Sequence, residues 1–205
     1  MQFTPIDLDQ WNRAEYYQHF MNRVICSYSA VVDLDITRLK GQRLYPAMLW
    51  LLTRTVNQMP EFRTALRPEG PGIYDEMHPA YTLFNDQGKN FTCVWTAYRE
   101  DYRAFLQAYE EDVARYSGSA RYVAKEGRPE NSFDVSMIPW LHFTAFNLNV
   151  YGDGKYLLPI FTMGKFEDRE GGRFLPLAIQ VHHAVCDGYH VGRFVQLLQE
   201  GIRHF

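Results

Sequence analysis

Residues 175–188 read Leu-Pro-Leu-Ala-Ile-Gln-Val-His-His-Ala-Val-Cys-Asp-Gly. The run Leu175–Val181 is almost wholly apolar, the pattern of a strand buried on both faces. It ends on two adjacent histidines. Successive strand side chains point to opposite faces, so His182 and His183 cannot share one cavity while the strand continues. One faces a site and the other faces the protein. Asp187-Gly188 then reads as a turn. Directly behind it, Val191, Phe194, Val195, Leu198 and Ile202 recur at helical spacing. A buried strand, a turn and an amphipathic helix in that order put a histidine at the rim of a sheet.

Outward from this segment, three more helices are predicted. Asp9 is placed to cap the first, over Trp11–Met21. Pro46 suits the first position of a second, which runs to Gln58 before Pro60. A third covers Asp101–Tyr116, with Tyr102, Phe105, Leu106, Tyr109 and Val113 on one face. Runs rich in β-branched and aromatic residues predict strands over Ile25–Leu34, Ala80–Asn85, Phe91–Tyr98, Leu141–Val150, Tyr156–Phe166 and Arg173–His183. Asp86–Lys89 would close a hairpin and Tyr151–Gly154 a turn. The wettest stretches, Gly41–Arg43, Arg67–Gly72, Asp86–Asn90, Lys125–Asn131 and Glu167–Arg173, are short and read as loops. Helices and strands are neither strictly alternating nor segregated. That order predicts an α/β two-layer sandwich, one large mixed β-sheet with packed helices, in a single domain over 1–205.

Composition narrows the function classes. With 46% hydrophobic and 22% charged residues the chain is globular. A net charge of -3 and no basic tract speak against nucleic-acid binding. The longest apolar run, Ala47–Leu52, is far too short to span a bilayer, and the N-terminus has no apolar core of a signal peptide. Cys26, Cys93 and Cys186 are odd in number and widely spaced, which fits reduced thiols in a cytoplasm. Aromatics at 16% suit a large aromatic core, with some rings free to line a pocket for a flat or apolar ligand.

The chemistry gathers at His183. An imidazole titrates near neutrality, so it can take a proton from a hydroxyl and return it. Asp187, four residues on, is placed to hold the local geometry through an arginine or backbone donors. A Cys-His nucleophile using Cys186 is a weaker reading, because sequence neighbours rarely reach in-line geometry. A metal site of His182, His183, Cys186 and Asp187 is equally weak: the ligands are too crowded for one tetrahedral centre. No metal is expected.

His182–Gly192 closely resembles the signature of the chloramphenicol acetyltransferases of the trimeric, His-dependent type. So do Pro176–Val181, Thr162–Phe166, Ser136–Trp140, Phe146–Val150, Tyr45–Met48, Pro60–Arg63 and Trp11–Arg13, in the family's order from about residue 4 to residue 200. The resemblance implies a CoA-dependent acyltransferase fold and acetyl-CoA-dependent O-acetylation of chloramphenicol at its primary 3-hydroxyl, conferring resistance. It implies a homotrimer with active sites between subunits. By position, His183 matches the catalytic base and Ser136 the hydroxyl that meets the oxyanion. Thr162 matches a residue contacting the same intermediate through water. Asp187 and Arg13 match a structural ion pair that holds the base. Phe91, Val24 and Phe20 fall at the drug pocket, with Cys26 beside it, and Lys165 and Phe166 fall at coenzyme A near its adenine.

Read without the resemblance, Ser136 is a loop hydroxyl, Arg13 a solvent-facing charge and Thr162 an ordinary strand residue. The chain departs from the family's pattern at Phe20, where many members carry Tyr, and at His19. Its Lys40–Leu44 connection is also shorter. Three alternatives stand beside the main reading. One is a dihydrolipoyl acyltransferase core, although no lipoyl domain or Ala/Pro-rich linker is seen. The others are a non-catalytic relative that sequesters the drug and an acetyltransferase for another alcohol.

Overall fold

A computed structural model describes residues 2–148, 150 and 153–205. The elements in chain order are β1 (Phe3–Pro5), α1 (Ala14–Asn22), β2 (Ser27–Asp35), α2 (Leu44–Gln58), β3 (Thr64–Arg67), β4 (Gly70–Tyr74), β5 (His78–Asn85), β6 (Asn90–Trp95), α3 (Tyr102–Tyr116), β7 (Ser132–Met137), β8 (Ile160–Met163), β9 (Glu167–Arg169), β10 (Gly172–His182) and α4 (Gly188–Arg203). The main sheet has the order β2-β10-β8-β7-β5-β6, with β9 paired to β10. The pairs β5–β7 and β7–β8 are parallel and the other pairs are antiparallel, so the sheet is mixed. A smaller sheet runs β1-β4-β3.

Alternation along the strands decides which face meets the helices. On β10, Leu175, Leu177, Ile179 and Val181 are at most 2% exposed and belong to the core, as do Phe161 and Met163 of β8 and Phe133 and Val135 of β7. Phe194 of α4 stacks on Phe161 at 5.2 Å and on Phe62 at 4.4 Å, which fixes α4 to this face. The other face carries Ser136, Thr162, Ala178 and Val31 in one register row, and Asp134, Ile160, Gln180 and Ser29 in the next.

The four predicted helices are all present. Asp101 caps α3 by accepting from the Ala104 amide at 2.8 Å. α1 starts at Ala14 rather than Trp11, and its N-cap is Arg13, not Asp9. The β5–β6 hairpin closes over Asp86–Lys89 as expected: Asn85 Oδ1 accepts from the amides of Gln87 and Gly88, and Lys89 adopts φ 51°.

The predicted strand over Leu141–Val150 is a correction. Its described residues form no strand, and Leu141 (55%), Leu148 (42%) and Val150 (45%) lie exposed. The β-forming composition is there, but among the described residues the segment joins no ladder. In the predicted Tyr151–Gly154 turn, Tyr151 and Gly152 lie outside the described residues. The Tyr156–Phe166 strand shortens to Ile160–Met163, and two predicted loops, Arg67–Gly72 and Glu167–Arg173, contain strand residues. Among the described residues no helix is long and apolar enough to cross a membrane.

Candidate active site

The turn after β10 is held at both ends. The His183 amide donates to the Cys26 carbonyl at 2.8 Å, extending the β2–β10 ladder by one rung. His182 is 3% exposed, and its Nδ1 accepts from the Ala184 amide at 3.1 Å. Burial lowers its pKa. It is the histidine that faces the protein. His183 faces outward: Phe20 lies flat on its imidazole, centroids 4.2 Å apart and planes 6° apart, and Tyr28 meets it edge-on at 5.3 Å. His19 packs edge-on against Phe20 at 4.9 Å. The His183 Nδ1 is sealed from solvent without a hydrogen-bond partner, which leaves Nε2 as the ring nitrogen able to form a new hydrogen bond. The neighbouring Tyr28 hydroxyl is also buried and unpaired; burial, with the charges of Cys186 and Asp187, pushes its pKa up to about 12.

Arg13 ties this turn together. Its Nη1 meets Asp187 Oδ2 at 2.9 Å, its Nη2 donates to the His183 carbonyl at 3.0 Å, and its Nε donates to the Ala184 carbonyl at 3.2 Å. One planar guanidinium therefore fixes three points of the segment that carries the imidazole. Burial pushes the Asp187 carboxyl up, but the Arg13 hydrogen bond and the charges of His190 and Arg13 outweigh it, and the pKa is lowered. Cys186 is buried, its Sγ directed at the Glu61 carbonyl at 3.7 Å, and burial with the Glu61 charge raises its pKa. A thiol held protonated in this way is poorly suited to nucleophilic attack.

A second cluster sits across the sheet. Ser136 Oγ is 3.0 Å from Thr162 Oγ1, and Thr162 is 2% exposed. Ser136 opens into a largely apolar cleft of about 460 Å³ lined by Tyr45, Phe84, Phe91, Ile138 and Trp140, among others. Trp140 (63% exposed) and Phe84 meet edge-on at 4.7 Å. Nearby, Lys165 is tied by its backbone to Leu141 at 2.8 Å, and the Arg173 guanidinium covers the Phe166 ring at 4.2 Å.

The two clusters do not meet within the chain. Ser136 pairs with Thr162 and Thr162 with Ala178, which lies five residues before His183. Two strand spacings and five residues of rise put Ser136 and His183 about 19 Å apart. They also face opposite ways, since His183 follows the row of Val181 and Tyr28 and Ser136 lies on the other face. Of the residues expected around the drug, Phe20 and Cys26 touch His183 at the β2 edge, and Val24 lies two residues before Cys26 with its amide donating to the His19 carbonyl. Phe91 lies on β6, the opposite edge of the sheet. Among the described residues no group of three or more His, Cys, Asp or Glu is arranged to hold a metal.

Residues 1–199 match the family model described as chloramphenicol acetyltransferase. The chain belongs to the chloramphenicol acetyltransferase family. A chloramphenicol acetyltransferase of Clostridium perfringens is 50% identical over 203 residues, 98% of each chain. A solved chloramphenicol acetyltransferase superposes with a TM-score of 0.87 at 23% identity, covering 98% of this chain and all of the other. The dihydrolipoamide acetyltransferase of Azotobacter vinelandii shares the fold, with a TM-score of 0.67 at 18% identity over 92% of this chain and 86% of that one. The large mixed sheet and packed helices are thus the fold of the CoA-dependent acyltransferases, and this member of the chloramphenicol acetyltransferase family is a transferase. Sequence reading passed over Tyr28, Glu61 and His190 as individuals. The signal for His190 was available: it stands three residues after the capping Asp187, where a partner for the cap is expected.

Proposed function

We propose that the protein transfers the acetyl group of acetyl-CoA to the primary 3-hydroxyl of chloramphenicol, with His183 as general base, in a homotrimer whose active sites lie between chains. Family membership supports the reaction. The single observation that carries the site is the separation of His183 from Ser136: neither can serve the same carbonyl unless a second copy brings its own Ser136 cluster to the His183 rim. The same separation holds for Phe20 and Val24 against Phe91, which meet around one drug molecule only across such an interface. The exposed apolar side chains of Val24, Trp140, Leu141, Phe84 and Phe91 give that interface material to bury. We assign the chain to one domain, since a single core cluster includes residues of both sheets, and to the cytoplasm.

In this scheme His183 Nε2 accepts the proton of the hydroxyl as its oxygen bonds to the thioester carbon. Charge builds on the carbonyl oxygen, where Ser136 Oγ donates. In this reading Thr162, whose Oγ1 lies 3.0 Å from Ser136 Oγ, donates to Ser136 and leaves the Ser136 proton for the oxyanion. The tetrahedral intermediate breaks its C–S bond, and the imidazolium returns the proton to the departing CoA thiolate. No acyl-enzyme forms. Asp187 and Arg13 support the base without touching substrate. Lys165 and Phe166 take the adenine end of coenzyme A, with Phe166 steadied by Arg173.

A thiol-release assay with acetyl-CoA and chloramphenicol tests the reading. Steady release by wild type supports it, and tight drug binding without release would instead mark a sequestering protein. One observation favours a second acceptor. Phe20, which has no hydroxyl, occupies the face of the imidazole, and a panel of other primary alcohols in the same assay decides whether the drug is the preferred one.

A further inference from the structure

Two of the segments that carry the family resemblance, Pro60–Arg63 and His182–Gly192, meet through side chains that the acyl-transfer scheme leaves unused. His190 stands at the third position of α4, wedged between two carboxylates. Its Nδ1 lies 2.8 Å from Asp187 Oδ1 and 3.2 Å from the Asp187 amide, and its Nε2 lies 3.6 Å from Glu61 Oε1. Only 16% of the side chain is exposed. Asp187 Oδ1 also accepts from the Tyr189 amide at 3.1 Å, so residue and helix cap each other reciprocally.

Nδ1 can serve only one of its two neighbours at a time. Unprotonated, it accepts from the Asp187 amide. Protonated, it donates to the Asp187 carboxylate. The ring is tied to Asp187 in either state, and Glu61 favours a proton on Nε2 in both. A cationic imidazole opposes the positive end of the α4 dipole, and the two flanking carboxylates offset that. The consequence for Asp187 is a division of labour. Oδ1 accepts from the helix amide and, when Nδ1 carries a proton, from His190, and Oδ2 is left for Arg13. Arg13 in turn holds the carbonyls of His183 and Ala184.

We propose that His190, backed by Glu61, is a positioning residue for the base: it orients the Asp187 carboxylate so that Arg13 fixes the His183 backbone. The proposal rests on the reading of His183 as general base. The test is a double-mutant cycle with His190→Ala, Asp187→Ala and the double variant, and with His190→Gln as the conservative replacement, since a Gln at this position can restore the reciprocal cap. In the thiol-release assay with acetyl-CoA and chloramphenicol, His190→Ala should lower kcat about tenfold while either KM changes by less than about twofold. The double variant should be no slower than Asp187→Ala alone, and His190→Gln should recover most of the rate. A His190→Ala kcat within twofold of wild type, or a double variant whose loss is the product of the single losses, would overturn the proposal. If wild type itself releases no thiol, the acyl-transfer reading fails separately. The cycle is then read from unfolding temperatures, where non-additive losses support the Asp187–His190 coupling and additive losses refute it.

Discussion

The imidazole of His183 is packed on one face and one edge, with its Nδ1 buried. Phe20 covers a face, Tyr28 an edge, and the Cys26 carbonyl and Arg13 hold its backbone. What remains open is Nε2, the atom a general base needs. His183→Ala should therefore cut thiol release by about 10²–10⁴-fold with the fold intact, measured as kcat beside a circular-dichroism spectrum. The Arg13–Asp187 pair makes a different prediction, in pH. The Asp187 carboxyl has a lowered pKa in the folded protein. Its contribution to stability is therefore present above the unfolded carboxyl value of about 3.9 and is lost as pH falls through the folded value. Unfolding temperatures of wild type and Asp187→Asn should differ at pH 7, and the difference should begin to shrink only as pH falls below about 4. At this scale the sequence was informative where residues sat close together. His183 and Asp187 share one segment, and their roles could be posed from spacing. Arg13 lies 171 residues from Ala184 in the chain, and nothing local marks it as the clamp. The resemblance supplied that pairing, and the geometry then showed two carbonyls that it also holds.

Among the elements, α4 carries the heaviest anchoring task. It starts at the Asp187 cap and lies across the sheet through Phe194, which has no exposed surface and stacks between Phe62 and Phe161. Phe194→Ala should cost about 3–5 kcal/mol in chemical denaturation, because the cavity opens between three layers that cannot collapse together. The helices were legible because each shows its buried face at a clear period. Strands were legible where side chains alternate against the core, as in Ser27–Asp35. They were missed where the ladder, not the composition, makes the strand. Ser132–Met137 alternates Phe133 and Val135 inward against Asp134 and Ser136 outward, a pattern the Pro-Trp pair nearby obscured. The described residues of Leu141–Val150 are the converse, strand-like in composition but outside any named strand. β3 and β4 lie in a Gly/Pro-rich stretch whose turn signals outweigh four or five strand residues.

For the whole molecule, the decisive fact is that helices cover one face of the sheet, while Ser136 and Thr162 emerge on the other, far from His183. No reading of one chain's sequence could reveal that separation, because it depends on the strand order β2-β10-β8-β7-β5-β6. In the proposed three-fold assembly the separation would become three shared sites, each using the β2 edge of one chain and the Ser136 cleft of the next. Complementation between inactive variants tests this directly. His183→Ala chains and Ser136→Ala chains are each prepared alone and then co-refolded in equal amounts. In any mixed trimer, one interface unites an intact His183 with an intact Ser136, so the mixture should recover about a quarter of wild-type thiol release with acetyl-CoA and chloramphenicol. A mixture that contains hybrid trimers and stays as inactive as its two parents would contradict a site built from two chains.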